Sequence, residues 1–219
     1  MPIVHCVWWL AQIGSLTQAQ EAKAEGVRAT QEAKFELAER AFGQACQLAP
    51  KLASACFFHG RVLYYLNRFT EALPELQKSL DAGESAGRVY STRAQCLEAL
   101  GRSEEAKVEH RRAIAASPDA QFLIRYALFL YHQGRARESL EPLGRALAAD
   151  PDDFEAHLIL GRALLELDRV ESALEHLETA LRVRPGSTQA HLLAAKACQR
   201  LGSVERAQKH LDAIQAPEP

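Results

Sequence analysis

The sequence predicts an all-α solenoid built from tandem helix–turn–helix units. Two periodic signals predict it. Corner residues recur at Asn67-Arg68, Gly101-Arg102, Gly134-Arg135, Asp168-Arg169 and Gly202-Ser203, at steps of 34, 33, 34 and 34 residues. Pro118, Pro151 and Pro185 follow three of these corners by 16 residues. A fixed period of this length means one supersecondary unit copied along the chain. The third observation is negative: no segment alternates apolar and polar residues in the manner of a strand.

The copies follow one another without a low-complexity linker from residue 19 to residue 216. The most degraded copy, 19–52, keeps Gly26, Ala38, Phe42, Ala45 and Pro50. Residues 53–86 carry Gly60, Leu63, Ala72, Leu76 and Leu80, and residues 87–119 carry Ala94, Leu97, Ala106, Ala113 and Ile114. Residues 120–153 carry Ala127, Leu130, Leu140, Leu143, Ala146 and Leu147. The clearest copy, 154–187, has Leu160, Gly161, Leu164 and Leu167 at helical spacing, then Ala173, Leu174, Leu177, Ala180 and Leu181. Residues 188–216 close the array with Ala195, Cys198, Ala207, Leu211 and Ile214, and 217–219 form a tail.

Each element has a local reason. Gly, Asn or Asp at a corner enters the left-handed backbone region at low cost and ends a helix. The inter-unit prolines cannot continue a helix. Small residues share one position of each first helix (Gly60, Ala94, Ala127, Gly161, Ala195) and one of each second helix (Ala72, Ala106, Ser139, Ala173, Ala207). They let two helices approach closely while leucines fill the remaining groove, with Gly161 expected to face Ala173. Pro74 and Pro142 fall early in second helices and read as slight kinks.

These residues resemble the tetratricopeptide repeat family, whose 34-residue pattern is matched by Leu160-Gly161, Ala173, Leu177, Ala180 and Pro185. His157 stands where the family prefers Trp, and Leu164 where it prefers Tyr. The resemblance implies a right-handed solenoid whose first helices line a concave groove. The groove residues it implies are Phe57, Arg61, Tyr64, Tyr65, Gln95, Arg125, Leu128, Tyr131, His132, Leu158, Arg162 and Lys196. Arg61, Arg162 and Lys196 share one repeat position, and Arg68, Arg102, Arg135 and Arg169 share another, expected to run as a ladder along one edge. The Lys/Asn clamp with which some members grip a C-terminal carboxylate is not found in this sequence.

The expected function is a non-catalytic adaptor binding a protein or peptide segment, with acidic residues on that segment a further expectation. The alternative is the substrate-selecting repeat subunit of an enzyme complex, such as a glycosyltransferase or protease assembly. A formal charge of −2 gives no electrostatic case for nucleic acid. Neither a Walker sequence nor an HExxH helix occurs, and no cofactor or metal is expected. Gly83-Glu84-Ser85-Ala86-Gly87 matches the G-x-S-x-G pattern, but the helical segment before it points to an inter-repeat turn rather than a nucleophile elbow.

The histidines and cysteines read as packing residues. His157 and His191 occupy one repeat position and His176 and His210 another. Stacked equivalents lie about 10 Å apart, too far to share one ion. Cys6, Cys46, Cys56, Cys96 and Cys198 form neither a disulfide framework nor a zinc signature, although Cys46 and Cys56 are placed to approach each other across a turn. The apolar segment 1–18 is either a cap over the first repeat or an atypical export signal, and it is too short to span a bilayer. The cytoplasm is the expected compartment, with export the alternative if residues 1–14 act as a signal.

Overall fold

The computed structural model describes residues 3–215, with side chains described over 14–214. The side chains of Trp8 and Trp9 and the 217–219 tail therefore lie outside what is described. The chain is all-α. Its helices are α1 (Ile3–Gln31), α2 (Phe35–Leu48), α3 (Ala53–Tyr65), α4 (Phe69–Asp81), α5 (Ala86–Ala99), α6 (Ser103–Ala116), α7 (Ala120–His132), α8 (Ala136–Ala149), α9 (Phe154–Glu166), α10 (Val170–Val183), α11 (Thr188–Arg200) and α12 (Val204–Gln215). They group into two compact units, Met1–Ser117 and Pro118–Pro219. Within each unit an odd-numbered first helix packs on the even-numbered second helix that follows, and each pair packs on the next.

The corners work as their residues require. Asn67, Gly101, Gly134, Asp168 and Gly202 all have positive φ, between 59° and 72°. The next residue closes a six-residue hydrogen-bonded turn onto the helix just ended. Arg68 N–H donates to Leu63 O (2.8 Å), Arg102 to Leu97 O (2.9 Å), Arg135 to Leu130 O (2.9 Å), Arg169 to Leu164 O (2.9 Å) and Ser203 to Cys198 O (2.8 Å). This is the Schellman arrangement, and it satisfies a carbonyl the helix leaves open. The α1–α2 corner does the same with Lys34 N–H on Ala29 O, but its left-handed residue is Ala33, at φ 55°.

The starts of α7, α9 and α11 are capped by side chains. Asp119, Asp153 and Ser187 accept from the backbone N–H of Gln121 (2.9 Å), Ala156 (2.7 Å) and Ala190 (3.3 Å). Helices α4, α6 and α8 use a different device. Arg68, Arg102 and Arg135 stand at their starts, and each forks onto a glutamate three residues on: Glu71, Glu105 and Glu138, at 2.5–2.7 Å. Those carboxylates also lie in the favourable first turn of the helix. Helices α4 and α8 run continuously through Pro74 and Pro142.

The core lies where paired helices cross. A Cβ built on Gly161 falls 2.6 Å from Leu177 Cγ and 3.4 Å from Ala173 O, and one on Gly60 falls 2.7 Å from Leu76 Cγ. The tight neighbour of Gly161 is thus Leu177 rather than Ala173. Leu76, Leu143 and Leu177 share one second-helix position and are fully buried. In α6 that position is His110, only 1% exposed, with Nε2 2.6 Å from Glu98 Oε1. The neighbouring Glu109 is 4% exposed and is ion-paired with Arg93 (3.2 Å) and Arg112 (2.8 Å).

The cysteine expectation needs correction. Cys46 and Cys56 form a disulfide joining α2 to α3, with Cα atoms 4.9 Å apart. Cys96 and Cys198 are free and buried, and burial pushes the Cys96 thiol up to about 12. They pack as small apolar residues.

Candidate partner-binding faces

In the first unit the face formed by first helices centres on α3. Phe57 is buried, and its ring is a platform for two guanidiniums: Arg61 Cζ lies 5.7 Å and Arg88 Cζ 4.4 Å from its centroid. Arg61 also lies 6.0 Å from the Tyr65 ring and donates from Nη2 to the Tyr65 hydroxyl at 3.2 Å. Tyr65 is 48% exposed. Beside it opens an apolar cleft of about 170 Å³, walled by Val27 of α1, Phe42 of α2, and Phe58, Arg61, Val62 and Tyr65 of α3. Tyr64 turns the other way, to Phe69 of α4 (5.6 Å), and joins the core around Leu76. Gln95 is half-buried on α5.

In the second unit the corresponding face is carried by α7, α9 and α11. Arg162 Cζ stands 5.0 Å from the Tyr131 ring, so a first-helix arginine again lies on an aromatic ring of the face. Leu128 and Arg125 are half-buried on α7, and His132 is exposed with its ring 5.9 Å from Tyr131. Leu158 is buried and offers little surface, whereas Lys196 is exposed. Structure therefore brings Arg61 to Phe57 and Tyr65 in one unit, and Arg162 to Tyr131 in the other.

Three features went unread in the sequence. The ladder arginines Arg68, Arg102 and Arg135 are engaged by glutamates of their own helices. A glutamate three residues after an arginine is a helical-pair signal that could have shown this. A cavity of about 430 Å³ opens between α2 and α4 beside the disulfide, with His59 set between Glu75 (3.3 Å) and Glu39 (3.5 Å). Finally, the histidines pair within a repeat rather than between repeats. His157 Nδ1 lies 3.0 Å from His176 Nδ1, and His191 Nδ1 lies 3.1 Å from His210 Nδ1. Burial and the neighbouring histidine hold His176 and His210 below the usual imidazole range.

The Gly83–Gly87 segment connects α4 to α5, and Ser85 stands exposed at the start of α5. It is a turn between helices, without the strand on which a nucleophile elbow is built. Among the described residues no helix is long and apolar enough to cross a membrane.

Paired helices with repeated glycine or alanine crossings, Schellman corners and a first-helix face define a helical-repeat protein. Tetratricopeptide repeat profiles match residues 59–109, 130–179 and 169–219. The chain belongs to the tetratricopeptide repeat family. Its fold is similar to that of YrrB, described as a TPR protein with an unusual peptide-binding site (22% identity, 80% of this chain and 90% of that one, TM-score 0.63). It is also similar to pilF of Pseudomonas aeruginosa (16% identity, 90% of each chain, TM-score 0.76) and to MamA of Desulfovibrio magneticus RS-1 (18% identity, 74% and 93%, TM-score 0.66). No curated protein sequence matches it.

Proposed function

We propose that the chain is a non-catalytic scaffold whose first-helix faces hold a protein or peptide segment bearing acidic residues. The observation that carries this reading is the guanidinium set on an aromatic ring in both units, Arg61 on Phe57 and Tyr65, and Arg162 on Tyr131. The rings hold the guanidiniums by their charge, and Arg61 uses one Nη2 donor on the Tyr65 hydroxyl. The remaining donors can still grip a carboxylate with two hydrogen bonds. The adjacent aromatics bury area at low entropy cost, and the 170 Å³ cleft beside Arg61 is shaped for one apolar side chain next to the acid. That YrrB is described as having a peptide-binding site agrees with this reading.

Fluorescence anisotropy with labelled acidic and basic peptides of equal apolar content tests it. Acidic peptides should bind more tightly, and less so as salt rises, because the contacts are partly exposed. The triple reversal of Arg61, Arg162 and Lys196 to Glu should remove the preference and leave the helical signal intact. Equal binding of both peptides, insensitive to salt and to the reversal, places recognition on another surface.

The disulfide bears on the compartment. Structural disulfides persist in oxidising surroundings and are rare in the cytosol. We infer maturation in an oxidising compartment, the export alternative. Alkylation of the natively isolated protein should then label Cys46 and Cys56 only after reduction. Labelling before reduction returns the protein to the cytoplasm.

A further inference from the structure

The two histidine pairs are built alike. His157 donates Nε2–H to Pro151 O (2.9 Å), which leaves Nδ1 as its lone-pair nitrogen, aimed at His176 Nδ1 at 3.0 Å. One repeat later His191 donates Nε2–H to Pro185 O (2.9 Å) and aims Nδ1 at His210 Nδ1 at 3.1 Å. A main-chain carbonyl fixing one ring nitrogen so that the other is presented is the outer-shell arrangement of metal-ligating histidines.

The fold does not demand histidines here. In the α7–α8 pair the same two positions are Leu123 and Pro142, both buried, so apolar packing fills the slot. Ligand chemistry favours certain ions. Two imidazole nitrogens with water in the other positions suit divalent first-row ions, and affinity for such a site peaks at copper(II), with nickel(II) before it in the series.

We propose that each pair is a two-nitrogen site for copper(II) or nickel(II). The ion sits beside the line joining the two Nδ1 atoms, and the proton on His176 or His210 Nδ1 is exchanged through solvent onto the Nε2 of the same ring, so both rings ligate as neutral imidazoles. Among the described residues no three potential ligands gather at one point, so water fills the remaining positions. Glu175 faces His176, and Glu178 and Arg206 face His210. His191 and His210 are both only part-buried, which makes theirs the more open site.

Calorimetric titration of the untagged full chain with copper(II) and with nickel(II) at pH 7.5 tests the assignment. His176→Ala should reduce the number of bound ions by one, and His176→Ala/His210→Ala by two, with the helical signal preserved. His157→Leu/His191→Leu should do the same, and it installs the residue already tolerated at position 123. The copper electron-spin spectrum should show two imidazole nitrogens per ion in the wild type, and binding should weaken at pH 5. Equal ion uptake by the wild type and both folded double variants, or no uptake by the wild type, overturns the proposal.

Discussion

Gly161 and Gly144 offer the same substitution in opposite surroundings. Both lie inside helices, so Gly→Ala gains about 1 kcal/mol of helix propensity at each. At Gly144 of α8 an added Cβ meets nothing within 4 Å. Gly144→Ala should therefore raise stability by about 0.5–1 kcal/mol. At Gly161 of α9 the added Cβ lands 2.6 Å from Leu177 Cγ and 2.7 Å from its Cδ2. Leu177 is fully buried, and Cγ is not a free end that can swing aside. Overpacking of this kind costs about 1–3 kcal/mol. Net of propensity, Gly161→Ala should destabilise by about 1 kcal/mol, and Gly161→Leu by more. Urea unfolding followed by circular dichroism reads both, with the melting temperature of Gly161→Ala falling by about 2–4 °C. The diagnostic is the difference in sign. If Gly161→Ala stabilises as much as Gly144→Ala, the α9–α10 crossing has room, and close packing at the glycine is not what sets it.

Three further outcomes are expected. Ala33→Gly should stabilise by about 1 kcal/mol, because φ 55° is strained for alanine and ordinary for glycine, and an unchanged or lower melting midpoint contradicts it. Removing the disulfide with Cys46→Ala/Cys56→Ala should lower stability by about 3 kcal/mol, and a reducing agent should destabilise the wild type but not the variant. Because His176 and His210 titrate below the unfolded value, their contribution is full above about pH 6.5 and is lost as pH falls through their folded values. The melting temperature of His176→Ala/His210→Ala should fall less steeply over that range than the wild type's, and parallel slopes would rule the pairs out as the cause.

Features that constrain the backbone were legible in the sequence. Positive φ at Asn67, Gly101, Gly134, Asp168 and Gly202, and termination near Pro118, Pro151 and Pro185, are local demands, and they repeat with the unit. Ala33 was not legible as a corner, since nothing in alanine's chemistry favours that conformation. Pairings that depend on packing were less legible. The approach of Cys46 to Cys56 across a turn was readable but the bond geometry was not, and His157 meets His176 only because two helices pack at a given angle and offset. Comparing residues one repeat apart directed attention to the wrong neighbour, His191. On the binding face, a list of residues could not tell that Tyr64 turns into the core while Tyr65 stays outside, or that Arg61 and Arg162 lie against rings.

His110 has a consequence for how the first unit comes apart. Repeat arrays hold together through terms between neighbouring helices, and at the α5–α6 crossing the leucine that anchors other pairs is replaced by a hydrogen-bonded imidazole beside the ion-paired Glu109. Polar contacts of this sort lose less on exposure to water than buried leucine does. Where the first and second pairs meet, α2 and α3 are tied covalently. The first unit should therefore be graded, tightest near its disulfide and loosest at α6. Amide hydrogens of α6 should exchange through a partial opening that leaves α2–α4 closed, giving this stretch of the chain a life of its own on the minutes-to-hours timescale.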